Sequence, residues 1–309
     1  IAGADPDFHR RDLFEAIEAG QFPEWELSVQ LFTEEQADAF PFDHLDATKL
    51  IPEELVPLTV IGRMVLDRWP DNFFAETEQV AFCPSHLVPG IDFSNDPLLQ
   101  GRLFSYLDTQ LSRLGSPNFH QLPINAPKCP FANQQRDAHM QMQVPKGRVN
   151  YEPSSLDPES ARESPVAGFR SVGVGESGAR GRIRAQSFAD HYSQPRLFYR
   201  SQTPPEQAHI AAAFTFELSK VQTMHVREAI VGHLRHVDES LAQRVADGLG
   251  LGQLPPPPEA AAPVIDMPRS PALQIIGKMK DTLQGRAVGL LVADGSDGVV
   301  IEAVRRAAS

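Results

Sequence analysis

A chain of 309 residues is long enough for two or three compact domains, each with a core of its own. Its formal net charge of −12 excludes binding to a phosphate backbone, which needs a basic surface. No apolar run approaches the roughly 20 residues of a membrane span, and two cysteines, Cys83 and Cys129, are too few for a disulfide framework and fit a reducing, cytoplasmic setting.

The chain opens on a charged helical segment with neither the basic start nor the apolar centre of an export signal, so it reads as beginning inside a protein. Within residues 10–19, Leu13, Phe14 and Ile17 have helical spacing, and Gly20 closes the run. Residues 25–32 alternate as a strand does, and the β-branched run 58–66 predicts a second strand. From 72 to 184 proline and glycine recur and periodic runs are short. A stretch this long without regular structure is uncommon inside a compact domain and is expected to wrap over another surface, such as that of a neighbouring subunit. One helix interrupts it, at about 97–114. Residues 185–250 read as a helical domain, with long helical patterns over 205–248. Residues 251–284 have the proline and alanine composition of an extended linker. Beyond it, RAVGLLVADG predicts a buried strand and GVVIEAVRRAA a helix, the first unit of an α/β domain over 285–309. The chain stops there, so both ends read as cut.

The helix at 97–114 carries the chemistry. Leu98, Arg102, Ser105, Tyr106, Thr109, Gln110 and Arg113 lie three or four residues apart and share one face. Leu103, Phe104, Leu107, Leu111 and Leu114 lie largely on other faces and are expected to be buried. From spacing alone this is an amphipathic helix of the kind found on many surfaces. The residue types allow more. A guanidinium one turn from a tyrosine favours the phenolate by charge and hydrogen bonding, and a phenolate is a hard anionic ligand for ferric iron. Arg113, two turns on, matches the geometry of a carboxylate such as a haem propionate.

RLFSYLDTQLSRLG closely resembles the haem-ligand signature of the catalases, the tyrosine-ligated haem proteins. DPDFHRRDLFEAIEAGQFPEWEL, DATKLIPEELVPLTVIGRMVLDRWPDNFFAETEQVAF, HLVPGIDFSNDPLLQGRLFSY, PNFHQLPIN and PRLFYRSQTPPEQAHI extend the resemblance over about residues 3–250. Gln110, the linker and the extra α/β segment resemble the large-subunit branch. The resemblance implies an α+β fold: the end of an antiparallel β-barrel (1–71), a wrapping segment (72–184), a helical domain, and the truncated start of a flavodoxin-like α/β domain. It implies Tyr106 as the axial haem-iron ligand and Arg102 as its charge partner. Leu98, Ser105, Thr109, Gln110 and Arg113 would line the proximal haem face, and Phe82 would touch the haem from the preceding loop. The implied activity is disproportionation of hydrogen peroxide to water and dioxygen by a homotetramer. The distal histidine and asparagine of the family belong to an upstream segment, and neither motif occurs here, so no catalytic residue is assigned and this chain is expected to be inactive alone. Some large-subunit members carry a histidine at position 83, crosslinked to the ligand tyrosine; Cys83 makes that link impossible. A haem protein acting on organic hydroperoxides and a haem-free assembly fragment are the competing readings.

Other signals are weaker. Gly173, Gly175 and Gly178 match G-x-G-x-x-G, but the short charged ARGRIRAQ stands where a dinucleotide site needs an opening helix, so a flexible loop is expected. His233 and His236, with His225 before them, lack an acidic metal-ligand pattern and predict a solvated helix face. His86 is open between a haem contact and a loop-stabilising role. Cys129 is expected as a small buried side chain, and the VADGSDG turn as structural.

Overall fold

The structure is a computed structural model that describes residues 3–88, 90–128, 135–149, 151–152, 154–156, 178, 181–183, 186–278 and 288–308. Cys129, Gly173 and Gly175 lie outside the described residues, and with them the expectations placed on Cys129 and on the glycine motif. The chain divides into two compact units, Ile1–Ala189 and Asp190–Ser309.

In the first unit, α1 (Phe8–Glu18) ends where Gly20 takes φ +72°, as its position after the last apolar residue predicts. Strands β1 (Glu24–Val29) and β2 (Thr59–Val65) pair antiparallel, from Glu24 opposite Val65 to Val29 opposite Thr59. The register shifts after Leu27, where Ile61 is the extra residue of a bulge. Both strands stand where alternation and β-branching place them. Only this two-stranded sheet occurs among the described residues. Between the strands, α2 (Glu34–Asp38) starts at a capping box, Thr33 and Gln36 each bonding the other's backbone N–H. A π-helical turn (Phe74–Glu78) precedes α3 (Pro97–Leu114), and a 3-10 turn (Phe119–Gln121) follows it.

The second unit holds α4 (Ser193–Ser201), α5 (Pro204–Ser219), α6 (Met224–Val237) and α7 (Glu239–Leu249). Of the two successive helical patterns read over 205–248, the first is α5 and the second divides at Asp238 into α6 and α7. Thr203–Pro204 starts α5, Asp238 caps α7 by accepting from Ser240 N–H at 2.9 Å, and Gly250 ends α7 at φ +69°. Their apolar faces meet in a core of Val231, Leu241, Ala242, Val245 and Ala246, with Leu218, Leu234, Ala211 and Tyr199 around it. Burying each Leu or Val there contributes roughly 1.5–3 kcal/mol.

Residues 251–278 contain one 3-10 turn (Pro271–Leu273) and otherwise run without helix or strand. The buried strand predicted from RAVGLLVADG is not found in its described part: Val288–Asp294 has no strand, and Leu291, Val292 and Val288 are exposed. A strand exists only when a neighbour takes its ladder hydrogen bonds, and no second strand lies beside it among the described residues. The helix expected after it is present as α8 (Gly298–Ala308).

Candidate functional site

Helix α3 forms where local signals ask for it. The Asp96 carboxylate accepts from Leu98 N–H at 2.9 Å, Pro97 opens the first turn, and Gly115 takes φ +77° to stop the helix. These two stops fix which residues share a face. On that face the Arg102 Cζ lies 5.1 Å from the centroid of the Tyr106 ring, a cation–π distance, and both side chains are half-buried. The Phe82 ring meets Tyr106 edge-on, with centroids 5.5 Å apart and planes at 76°.

Gln110 and Arg113 fasten the loop that carries Phe82. Gln110, 4% exposed, donates from Nε2 to the Phe82 carbonyl at 3.0 Å and accepts on Oε1 from Arg113 Nη2 at 2.6 Å. Arg113 also donates to the carbonyls of Val80, at 2.6 Å, and Glu78. From the other side Asn125 donates to Gln79 O at 2.8 Å and accepts from Ala81 N–H at 2.8 Å. Gln110 and Arg113 thus hold residues 78–82 against α3, and Asn125 ties the same loop to the turn that follows the helix. The role of Gln110 and Arg113 as loop fasteners, and Asn125 altogether, escaped the sequence reading, because these bonds join residues 28 to 46 positions apart.

The remaining members of the predicted strip, Leu98, Ser105 and Thr109, are exposed along the same helix. The apolar residues Phe104, Leu107 and Leu111, expected to be buried, are exposed as well, at 77%, 41% and 38%. With Gly101, Ser105 and Asp108 they line an open groove. Cys83 is buried and hydrogen-bonded through Sγ to Ser85 Oγ at 3.1 Å. His86 lies parallel to Phe119, with centroids 5.8 Å apart. Desolvation there, then the charge of His120, holds its pKa below the ordinary imidazole value.

Of the histidines set aside, His233 is exposed as predicted, yet its Nδ1 meets Tyr192 Oη at 2.7 Å. His236 is packed at 4.4 Å against the Tyr192 ring instead of lying in solvent. Among the described residues no group of three or more His, Cys, Asp or Glu is placed to hold a metal ion, and no helix is long and apolar enough to cross a membrane.

A tyrosine beneath a guanidinium on a capped helix, with an aromatic loop fastened over it, is the kind of site that could present a phenolate to iron. Comparison with known proteins gives it a family. Residues 1–158 match the catalase family model, and residues 185–249 match the model described as catalase-related immune-responsive. The chain belongs to the catalase family, whose members use haem. It is 60% identical over 305 residues to Catalase C of Rhizobium meliloti, covering 98% of this chain and 43% of that protein. It is 54% identical to Catalase HPII of Pseudomonas aeruginosa (96% of this chain, 42% of that protein) and 50% identical to Catalase-B of Dictyostelium discoideum (96% and 44%). The chain thus spans less than half the length of the curated relatives it matches.

Proposed function

We propose that this chain carries the proximal haem side of a large-subunit catalase, with Tyr106 as the axial iron ligand and hydrogen peroxide as substrate. The observation that carries this reading is the Arg102 guanidinium 5.1 Å from the Tyr106 ring, on one face of a helix in a catalase-family chain. The donor set suits haem. Tyr106 offers a hard oxygen ligand, Arg102 a fixed positive charge beside it, and Phe82 an aromatic edge for the rim of the site. Bound haem would supply an iron centre that gives two electrons to one peroxide molecule, releasing water, and takes two from a second, releasing dioxygen.

The chain's own residues have separable tasks in this reading. Arg102 places a fixed positive charge over the Tyr106 ring, beside the oxygen that would meet the iron. Leu98, Ser105 and Thr109 would line the face that holds the haem. Gln110 holds Phe82 in place through its carbonyl. Arg113 would be the partner for a propionate, and its hold on the carbonyls of Glu78 and Val80 fixes where that charge stands. Cys83 offers no imidazole for a crosslink, so Tyr106 remains an unmodified tyrosinate by that route. We further propose a cytoplasmic homotetramer. Exposed apolar side chains such as Leu31 (77%) and Phe74 (72%) give the first unit surface to bury on assembly.

Haemin titration tests the assignment. The wild-type chain should give a ferric tyrosinate absorption spectrum, and Tyr106→Phe should lose it. No such spectrum in the wild type, or its survival in Tyr106→Phe, overturns the ligand assignment.

A further inference from the structure

The segment read as a linker is held along much of its length by side chains of the helical unit. Its proline-rich first part offers carbonyls and few N–H groups, and donors meet it there. Arg235 Nη1 donates to Pro255 O at 3.0 Å, and His236 Nε2 pairs with Pro258 O at 2.7 Å. Gly232 lets the backbone close in: a Cβ at that position would stand 2.7 Å from Pro256 O. Further along, N–H groups are available and acceptors meet them. Ser193 Oγ accepts from Ile265 N–H at 2.8 Å, and Ser201 Oγ from Ser270 N–H at 2.8 Å. Asp266 pairs with Arg200 at 2.8 Å and with Arg196. At the far end the Glu206 Oε1 accepts from two consecutive amides, Ile275 N–H at 2.6 Å and Ile276 N–H at 2.9 Å.

This pattern differs from that of a flexible tether. Side chains from α4, α5 and α6 bond to the backbone of an extended segment, which is how folded domains recognise peptides, and a polyproline conformation loses little entropy on docking. The match of donors to proline carbonyls and acceptors to N–H groups gives the groove a direction and a register.

We infer that α4, α5 and α6 form a peptide-recognition groove whose occupant is the chain's own segment 255–276, and that Glu206 locks the end of that segment. Glu206 has two functions at once. Its Oε2 accepts from Thr203 N–H (2.8 Å) and Thr203 Oγ1 (2.6 Å), capping α5, while Oε1 grips the segment. The backbone at Ile276 therefore leaves the helical unit from a fixed point. This inference stands apart from the haem reading and survives or fails without it.

Hydrogen exchange on the full 309-residue chain tests it. In the wild type, the amides of Ile265, Ser270, Ile275 and Ile276 should exchange far more slowly than an unprotected chain. Glu206→Ala should speed Ile275 and Ile276 by about tenfold or more, since a charge-assisted bond is lost. Thr203→Ala supplies the control for a frayed α5: it removes the cap's hydroxyl but leaves Oε1, so Ile275 and Ile276 should stay protected. Wild-type amides exchanging at unprotected rates overturn the inference. So does continued protection in Glu206→Ala, or release in Thr203→Ala as large as in Glu206→Ala.

Discussion

Gly232→Ala puts two opposing effects of known size on one atom. Gly232 lies inside α6, and in a helix interior alanine is better than glycine by about 1 kcal/mol. An exposed, unhindered site would therefore gain stability. Here the new Cβ would stand 2.7 Å from Pro256 O and 3.6 Å from Pro258 Cδ. Ordinary carbon–oxygen contacts begin near 3.3 Å, so the two must part by roughly 0.6 Å. The obstacle is backbone, and Arg235 and His236 hold the carbonyls on either side of it. Overpacking of this kind costs about 1–3 kcal/mol, and letting the segment lift instead loses two hydrogen bonds of about 1 kcal/mol each. Both routes exceed the helical gain, leaving a net loss of about 1 kcal/mol. Thermal unfolding followed by circular dichroism should show a fall of several degrees in the C-terminal unit's transition, about 3–6 °C. The decisive opposite result is a rise in Tm, as for any open helical glycine; it would mean that residues 255–258 do not lie on α6.

The same geometry sets other outcomes. Asn118, fully buried, donates from Nδ2 to the carbonyls of Asp137 and His139, and Asn118→Ala should destabilise the first unit by about 1–2 kcal/mol in urea unfolding, because it removes two hydrogen bonds of about 1 kcal/mol each. Hydrogen bonds from the Thr203 hydroxyl, then from the Ile276 and Thr203 amides, hold the Glu206 pKa down to about 2 from an ordinary 4.5. A depressed carboxylate stabilises the fold above its unfolded pKa and loses that contribution as pH falls through the folded value. The wild-type advantage over Glu206→Gln in unfolding experiments should therefore be constant above about pH 4.5 and shrink between there and about 2. With haemin added, the 309-residue chain should consume peroxide no faster than free haemin; rates far above that would show that the proximal side is enough.

The parts of this molecule that could be read in its sequence are those set by neighbours in the chain. Asp96, Pro97 and Gly115 delimit α3 by local capping, and the i, i+4 spacing of Arg102 and Tyr106 brings them together without help from elsewhere. Where distant residues decide, sequence falls short. Arg113 shows only an outward task there, since nothing near it in the chain reveals the carbonyls of Glu78 and Val80. Proline and alanine composition describes the conformation of 251–278 well but not its attachment, which depends on side chains up to 72 residues away. The β-branched run after it has the propensity of a strand but no neighbouring strand among the described residues, and propensity alone makes no ladder.

The exposure of α3 separates binding from turnover. Gln110 is its one buried residue; Arg102 and Tyr106 are half-buried, while Leu98, Ser105 and Thr109, like Phe104, Leu107 and Leu111, are exposed. On the proposed assignment the ligand tyrosine and its cation sit on one helix, so haem affinity should fall when either Tyr106 or Arg102 is replaced. Peroxide chemistry asks for more, because a charge beside the reacting atoms is worth far more once water is excluded. Ser105 and Thr109 lie in solvent on the strip proposed to take the haem. On the proposed assignment Tyr106 would decide whether iron is held, while the rate would depend on groups that meet the opposite side of the ring.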